Sequence, residues 1–371
     1  MIKKKIYLIL ILIYHLYDNN KKKVRTFNDF LNLSDQNNSI LIASYETFHL
    51  ECLPGFINYF INLKYKVDIL IQFNLIESIG KLKSNEYIRI FPYKDMNEIK
   101  SNIKILKNII MKYKFLLLLT LEKYRIQFYK DLGYYNHSNS LFIIHHIDEL
   151  YSIGLKRYIL ENKVFGLIDT GKILYLNPSY FGDFKISFEK HKITKFFITS
   201  TKNRNYTYFL KGIYLLKKKS IDFKINIIGR SGKFKNKDIP KELRIYFHFY
   251  SNIPYQKMYK IIQESDFIIL NLFPSRKEDN IYKYYRATGN AQISYGFCKP
   301  VLVEKSFSSI YKFSDKNSII YNNNDLDLAM MKAAKITNKK YKILVKNLGV
   351  LRKKIYRISF NNLKKILNKY K

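Results

Sequence analysis

Residues 286–303 read Arg-Ala-Thr-Gly-Asn-Ala-Gln-Ile-Ser-Tyr-Gly-Phe-Cys-Lys-Pro-Val-Leu-Val. This is a small-residue loop, a short helix, a tight turn ending in Lys299-Pro300 and a buried strand. Thr288, Gly289 and Asn290 fall where the helix begins. The first N–H groups there have no partner inside the helix, and the helix dipole favours an anion. Thr or Asn can cap such a start, and Gly admits a ligand close to the backbone. An ordinary capped helix accounts for the same residues. A second chemical cluster is His145-His146-Ile-Asp148-Glu149, directly after an apolar run. Either histidine suits a base near neutral pH, or one caps the next helix or packs under a loop. Glu46, His49 and Glu51 form a weaker cluster of the same kind. Gly229-Arg230-Ser231-Gly232 is a Gly-containing turn after a strand, able to touch phosphates but common in itself.

The elements that must position these residues follow a repeated strand–helix pattern. Expected strands are 40–43, 67–71, 87–91, 115–119 and 141–144, with helices near 51–63 and 96–113. The loop 177–192 interrupts the alternation and reads as a linker. The pattern then restarts, with strands at 195–199, 223–228, 246–250, 266–270, 301–303 and 318–321 and helices near 205–218 and 256–264. Short apolar runs between polar boundaries suit parallel strands covered on both faces. Two such α/β halves predict two Rossmann-like domains facing a cleft, with helices at the C-terminus. The domain expectation is an N-terminal apolar and basic segment, 1–38, then Rossmann-like domains at 39–180 and 193–330, and basic helices at 331–371.

Composition limits the function classes. At 371 residues and 47% hydrophobic, the chain has length for two cores and is not a disordered polymer. Two cysteines, Cys52 and Cys298, exclude a disulfide scaffold and a zinc cluster. The formal charge of +37 attracts polyanions, anionic lipid or nucleotides without choosing among them. Lys, Asn, Ile and Tyr are all abundant and all encoded by A/T-rich codons, so base composition of the genome is one source of the excess of lysine. No nucleic-acid-binding module is evident, so no specific nucleic-acid partner is expected. Lys3-Lys4-Lys5 precedes the apolar run 6–14, which is shorter than the roughly 20 residues a bilayer crossing needs. A membrane-associating or core-packed helix is expected there. The stretch from Leu328 onward has no Asp or Glu and 14 Lys or Arg, with Leu344, Leu348, Leu351, Ile355 and Ile358 at helical spacing. That pattern fits a helix packed on its domain with a solvated basic face, or a basic amphipathic helix on an anionic membrane. A cytoplasmic protein, peripheral to a membrane, is the expectation.

The second half resembles the nucleotide-sugar-binding domain of GT-B glycosyltransferases, nearest to the sucrose-synthase-like and mannosyltransferase-like group (families 4 and 1). The resemblance rests on Phe197-Ile-Thr-Ser-Thr-Lys-Asn-Arg-Asn-Tyr206, Ile227-Ile-Gly-Arg-Ser-Gly232, His248-Phe-Tyr-Ser-Asn-Ile-Pro254, Asp266 to Ser275, and Gly296-Phe-Cys-Lys-Pro-Val301. The last of these stands for a Gly-Lys-Pro turn with two extra residues. It is clear over 195–325 and only a matter of pattern over 39–180. Many members carry two glutamates separated by seven residues. Here the second position lies within Tyr284 to Ile293, which has no carboxylate, and Glu278 has the wrong spacing.

The resemblance implies transfer of a sugar from a nucleotide diphosphate sugar to a glycan, lipid-linked or protein acceptor, with no cofactor and no bound metal. The departing diphosphate would be held by Lys202, Arg204, Gly229, Arg230, Arg286, Thr288, Gly289 and Asn290, with Arg204 first by position. Asn252 and Ile253 would meet the nucleotide base. His145 and His146 would act on the acceptor side, and Arg204 would join them in catalysis. A basic nucleic-acid-binding protein and a catalytically inactive GT-B scaffold are the alternatives.

Overall fold

Ile40, Leu41, Ile42 and Ala43 are completely buried, as are Leu116, Leu117, Ile268, Ile269, Val301 and Leu302. Strands apolar on both faces need helices on both sides, and that requirement builds two parallel sheets. The computed structural model describes residues 25–34, 36, 38–46, 49–121, 123–149, 154–200, 204–229 and 236–370. The N-terminal apolar run, Lys202 and Arg230 lie outside the described residues. The chain divides into unit 1 (Met1–His145, Glu149–Gly166 and Asn362–Lys371) and unit 2 (His146–Asp148 and Leu167–Asn361).

Unit 1 contains β1 (Ser39–Ser44), β2 (Lys66–Gln72), β3 (Ile88–Tyr93), β4 (Phe115–Leu118), β5 (Ser140–Ile144) and β6 (Val164–Gly166). They pair in parallel in the order β3-β2-β1-β4-β5-β6. The order reverses between β1 and β4, which opens a crevice at their carboxyl ends. Helix α1 (Leu53–Asn62) has Pro54 in its first turn and buries Leu53, Phe56, Ile57 and Phe60. The helix expected over 96–113 is two helices, α2 (Met96–Ser101) and α3 (Ile103–Ile110). Asn102 separates them, its side-chain Nδ2 donating to the Glu98 carbonyl at 2.9 Å, a local bond that competes with the helix ladder.

The two-residue strand β7 (Leu174–Tyr175) belongs to the first sheet, next to β6, and the sheet of unit 2 contains β8 (Thr194–Ser200), β9 (Phe223–Gly229), β10 (Phe247–Ser251), β11 (Phe267–Ile269), β12 (Val301–Glu304) and β13 (Ile319–Tyr321). The six longer strands are parallel in the order β10-β9-β8-β11-β12-β13, so this sheet repeats the topology of the first. Its switch point lies between β8 and β11. Helices α4 (Thr207–Lys218), α5 (Tyr255–Gln263), α6 (Lys277–Tyr284), α7 (Gly289–Phe297), α8 (Leu326–Lys335) and α9 (Asn338–Lys369) surround it. The sequence pattern had no element for α6.

Two local features correct the motif reading of the Lys-Pro turn. Gly296 lies inside α7, not in the turn, and what requires glycine there is Phe181, whose Cδ2 would stand 2.1 Å from a Cβ. Cys298 takes the left-handed residue that ends the helix (φ 50, ψ 42), so the turn has no extra residues. In α9, Leu344, Leu348, Leu351 and Ile355 are buried, which is the packed-helix reading, while Ile358 is half-buried.

Candidate functional site

In unit 2, residues converge on the carboxyl ends of β8 and β11. Arg204 follows β8 and is only 9% exposed. Its Nη1 lies 2.7 Å from Oδ1 of Asp279, itself 1% exposed. The other carboxylate oxygen of Asp279 accepts from the Phe273 backbone N–H at 3.1 Å, and Arg276 Nη1 stands 3.7 Å away. The Arg204 guanidinium also lies 4.4 Å from the Tyr282 ring centroid. Arg204 is therefore a buried, oriented cation with its charge partly spent on Asp279. Asn271, in the left-handed region (φ 51), donates through Nδ2 to the Asn205 carbonyl at 3.1 Å, which joins the β11 end to the β8 loop.

Helix α7 starts beside this network. Thr288 is its N-cap with extended backbone (φ −104, ψ 132), but its side chain makes no capping bond. The Ala291 N–H turns back to the Thr288 carbonyl at 3.1 Å, so in the first turn of α7 the Gly289 and Asn290 amides are left to whatever approaches from outside the helix. Gly289 is exposed. Asn290 is buried, and its Nδ2 donates to the Ile269 carbonyl at 2.9 Å. Asn290 Oδ1, Asn271 Oδ1, Asn280 Oδ1, Gln292 Oε1 and Arg276 Nη1 are all buried without a hydrogen-bond partner. Buried polar atoms normally have a partner, so water or a ligand can complete the bonding here, although orphans of the same kind also occur away from this site, at Ser39, Tyr65, Ser140 and Tyr259.

The remaining expected residues are more dispersed. Arg286 is paired with Asp148, its Nη2 3.0 Å from Oδ2, and its backbone forms an isolated antiparallel bridge with His146. Gly229 is the half-buried last residue of β9, opposite Ser251. Asn252 (φ 52) is exposed and Ile253 half-buried just past β10.

Unit 1 carries its own polar cluster at the carboxyl ends of β1, β4 and β5. Glu46 is 3% exposed and accepts from Arg125 Nε at 2.6 Å, Tyr124 Oη at 3.1 Å and Tyr129 Oη at 3.4 Å. Burial pushes its carboxyl above the ordinary range, against the opposing pull of Arg125. His145 is buried, with Nε2 3.3 Å from the Leu119 carbonyl, and its ring stacks on His49 at 3.9 Å. His49 is one-third exposed, and its Nδ1 stands 3.7 Å from Glu51. The fold therefore joins the two histidine-bearing segments that the sequence presented as separate clusters.

Asp279, Arg276 and Tyr282 escaped the sequence reading. The signal available was the Arg276-Lys-Glu-Asp279 run, whose i,i+3 spacing brings a cation and a carboxylate to one side of a helix start. Attention fell on Glu278, which is 63% exposed, instead of its buried neighbour.

No family model matches the chain, and no curated protein matches it. Among solved structures, HepE of Anabaena in complex with UDP and glucose is similar at 10% identity and a TM-score of 0.51, over 88% of this chain and 99% of that one. A point mutant of TarM from S. aureus, in complex with fondaparinux, alpha-GlcNAc-glycerol and UDP, is similar at 12% identity and a TM-score of 0.50. That likeness covers 72% of this chain, which spans 59% of the TarM chain. At such identities the likeness is one of fold. The two Rossmann-like α/β units of this chain are those of the GT-B fold.

Proposed function

We propose that the chain is a glycosyltransferase that takes a nucleotide diphosphate sugar as donor and passes the sugar to a glycan, lipid-linked or protein acceptor. The observation that carries this reading is the switch point of unit 2. There an uncapped helix start, Thr288–Asn290, adjoins the oriented Arg204 and a set of orphaned amide oxygens. Helix-start amides and a cation suit the charge that develops on a leaving diphosphate. The unpaired oxygens of Asn271 and Asn290 suit hydroxyl donors, from a sugar or from water bound with it. HepE, which shares the fold, is in complex with UDP and glucose. Lys202, Arg230, Gly229 and Arg286 are proposed as further phosphate contacts, and Asn252 and Ile253 as base contacts. In unit 1, His145, with His49 stacked on it, is the proposed base; His146, which falls in unit 2, is proposed for a positioning role. Cationic groups stand in for a metal in this scheme, so added chelator should leave transfer unchanged.

A thermal-shift screen with nucleoside diphosphates and their sugars tests the reading. At about 100 times its dissociation constant, a ligand should stabilise the fold by roughly 2.7 kcal/mol. Gly289→Asp, on an exposed residue, sets a carboxylate at the helix start and should abolish the shift while the unliganded protein melts as before. Absence of any nucleotide shift from folded protein would overturn the proposal.

Peripheral contact with an anionic membrane is proposed for the outer face of α9. Lys339, Lys342, Lys346 and Lys353 are exposed along one side of it, with Ile343 and Val350 at 49% and 62% exposure. The buried stripe of α9 is occupied by protein, so contact would be electrostatic and shallow. Among the described residues, no helix is long and apolar enough to cross a membrane. Co-sedimentation with phosphatidylserine vesicles should fall steeply with salt and with the four-lysine-to-glutamate variant. No binding to such vesicles at low salt would remove this part of the proposal.

A further inference from the structure

Unit 2 has a pocket of about 420 Å³ that none of the donor candidates lines. Its walls include Asp169, Lys283, Tyr284, Ser306, Ser309 and Lys312. Lys283 and Tyr284 end helix α6. Ser306 and Ser309 come from the single helical turn Lys305–Ser308 and the residue after it, just past the carboxyl end of β12. The buried Tyr311 holds the two walls together, its hydroxyl lying 3.1 Å from the carbonyls of both Tyr282 and Arg286. The same 282–286 segment leads into the α7 start, so the pocket adjoins the proposed donor end of the sheet.

The charges in the pocket are unevenly matched. Lys312 Nζ is paired with Asp169 at 2.8 Å. Lys283 Nζ stands 5.2 Å from the Phe307 ring centroid and, among the described residues, has no carboxylate at salt-bridge distance. Two ammonium groups thus face one carboxylate. Ser309 supplies an exposed hydroxyl, the Ser306 hydroxyl donates to Glu304 and offers its oxygen as an acceptor, and Tyr284, 59% exposed, offers an open aromatic face. A cation with hydroxyls, a single carboxylate acceptor and an aromatic surface matches a saccharide that carries a negative group. The volume is in the range of small-molecule sites and holds one or two sugar rings. We propose that this pocket binds the acidic part of the acceptor, a saccharide bearing a carboxylate or a phosphate, with Lys283 meeting the anion and Tyr284 the ring. As a statement about an acceptor, this rests on the glycosyltransferase reading; as a statement about binding, it stands alone.

Calorimetric titration of the full chain with glucuronate, glucose 6-phosphate, glucose and inorganic phosphate tests it. At least one acidic sugar should bind about tenfold or more tightly than glucose and than inorganic phosphate, since a hydrogen bond to a charged group is stronger than a neutral one. Which acid binds tells carboxylate from phosphate. Lys283→Met should remove that preference, and Lys312→Met should reduce it, while the thermal shift with nucleoside diphosphates persists in both. Equal binding of glucose, equal binding of inorganic phosphate, or an unchanged affinity in Lys283→Met would overturn the inference. A retained nucleotide shift beside any of these results leaves the donor reading intact, whereas loss of all nucleotide shifts refutes that reading separately.

Discussion

Replacing Arg204 removes more than a proposed phosphate contact, because it leaves Asp279 charged and buried. The pair is short at 2.7 Å, and its members are 9% and 1% exposed. Breaking a buried ion pair from one side costs about 3–5 kcal/mol. Asp279 would keep the Phe273 N–H at 3.1 Å and the looser Arg276 at 3.7 Å, which places Arg204→Met at the low end, about 3 kcal/mol. For a domain of this size that is a fall in Tm of about 6–12 °C. Asp279→Asn removes the stranded charge and retains an oxygen for the Phe273 N–H. The double variant Arg204→Met/Asp279→Asn should therefore recover most of the loss, with a coupling of about 2 kcal/mol in the double-mutant cycle. Arg204→Lys should fall between, because it keeps the charge but loses the flat guanidinium over Tyr282. Urea unfolding followed by far-UV circular dichroism reads all four. If Arg204→Met loses less than about 1 kcal/mol, or the double variant is less stable than both singles, the pair is not the buried interaction described. The double variant also provides the folded background in which to ask whether the Arg204 charge contributes to nucleotide binding.

Three further expectations concern stability. Lys299 is 3% exposed, and burial pushes its ammonium down to about 8, only partly opposed by Asp266, so holding it charged near neutrality costs about 3 kcal/mol. The unfolded chain binds the extra proton between about pH 8 and its ordinary value near 10.5, so this cost is fully present below 8 and relieved as pH rises through that window. Lys299→Met should then be more stable than wild type at pH 7, with the difference shrinking by pH 10; an unchanged or reversed difference at pH 7 refutes the burial argument. His137 is buried, its pKa lowered first by desolvation, and its Nδ1 accepts from the Asn139 N–H at 3.1 Å. The unfolded state takes up a proton first as pH falls below about 6.5, so stability should drop from there downward, and His137→Gln should flatten that slope in pH-dependent urea melts. Gly296→Ala should cost about 1–3 kcal/mol through its clash with Phe181, with Phe181→Leu restoring part of it; a neutral Gly296→Ala in thermal melts would show that the ring has room to move.

What was legible in the sequence was whatever the chain repeats locally. Apolar runs such as 40–43 and 223–228 announced parallel strands, and the small residues at 288–290 announced a helix start, because backbone geometry and the need to cover both faces act within a few residues. The buried stripe of α9 was readable for the same reason. Single-residue conformations were harder. Asn102 splits a helix, and Cys298 takes a left-handed turn that Gly296 advertised, since both outcomes depend on competing local bonds and on the approach of Phe181.

Partnerships across the chain were not legible at all. Arg204 stood out by position among 66 lysines and arginines, but nothing local paired it with Asp279, 75 residues on, or set His49 on His145. Those pairings follow from strand order, which brings the carboxyl ends of β8 and β11, and of β1 and β5, to one side of their sheets. The sequence by itself determined which segments become strands and helices and which charges are available. Only the tertiary structure decided which charges meet, because burial and Coulomb attraction act through space at a few ångströms and take no account of separation along the chain.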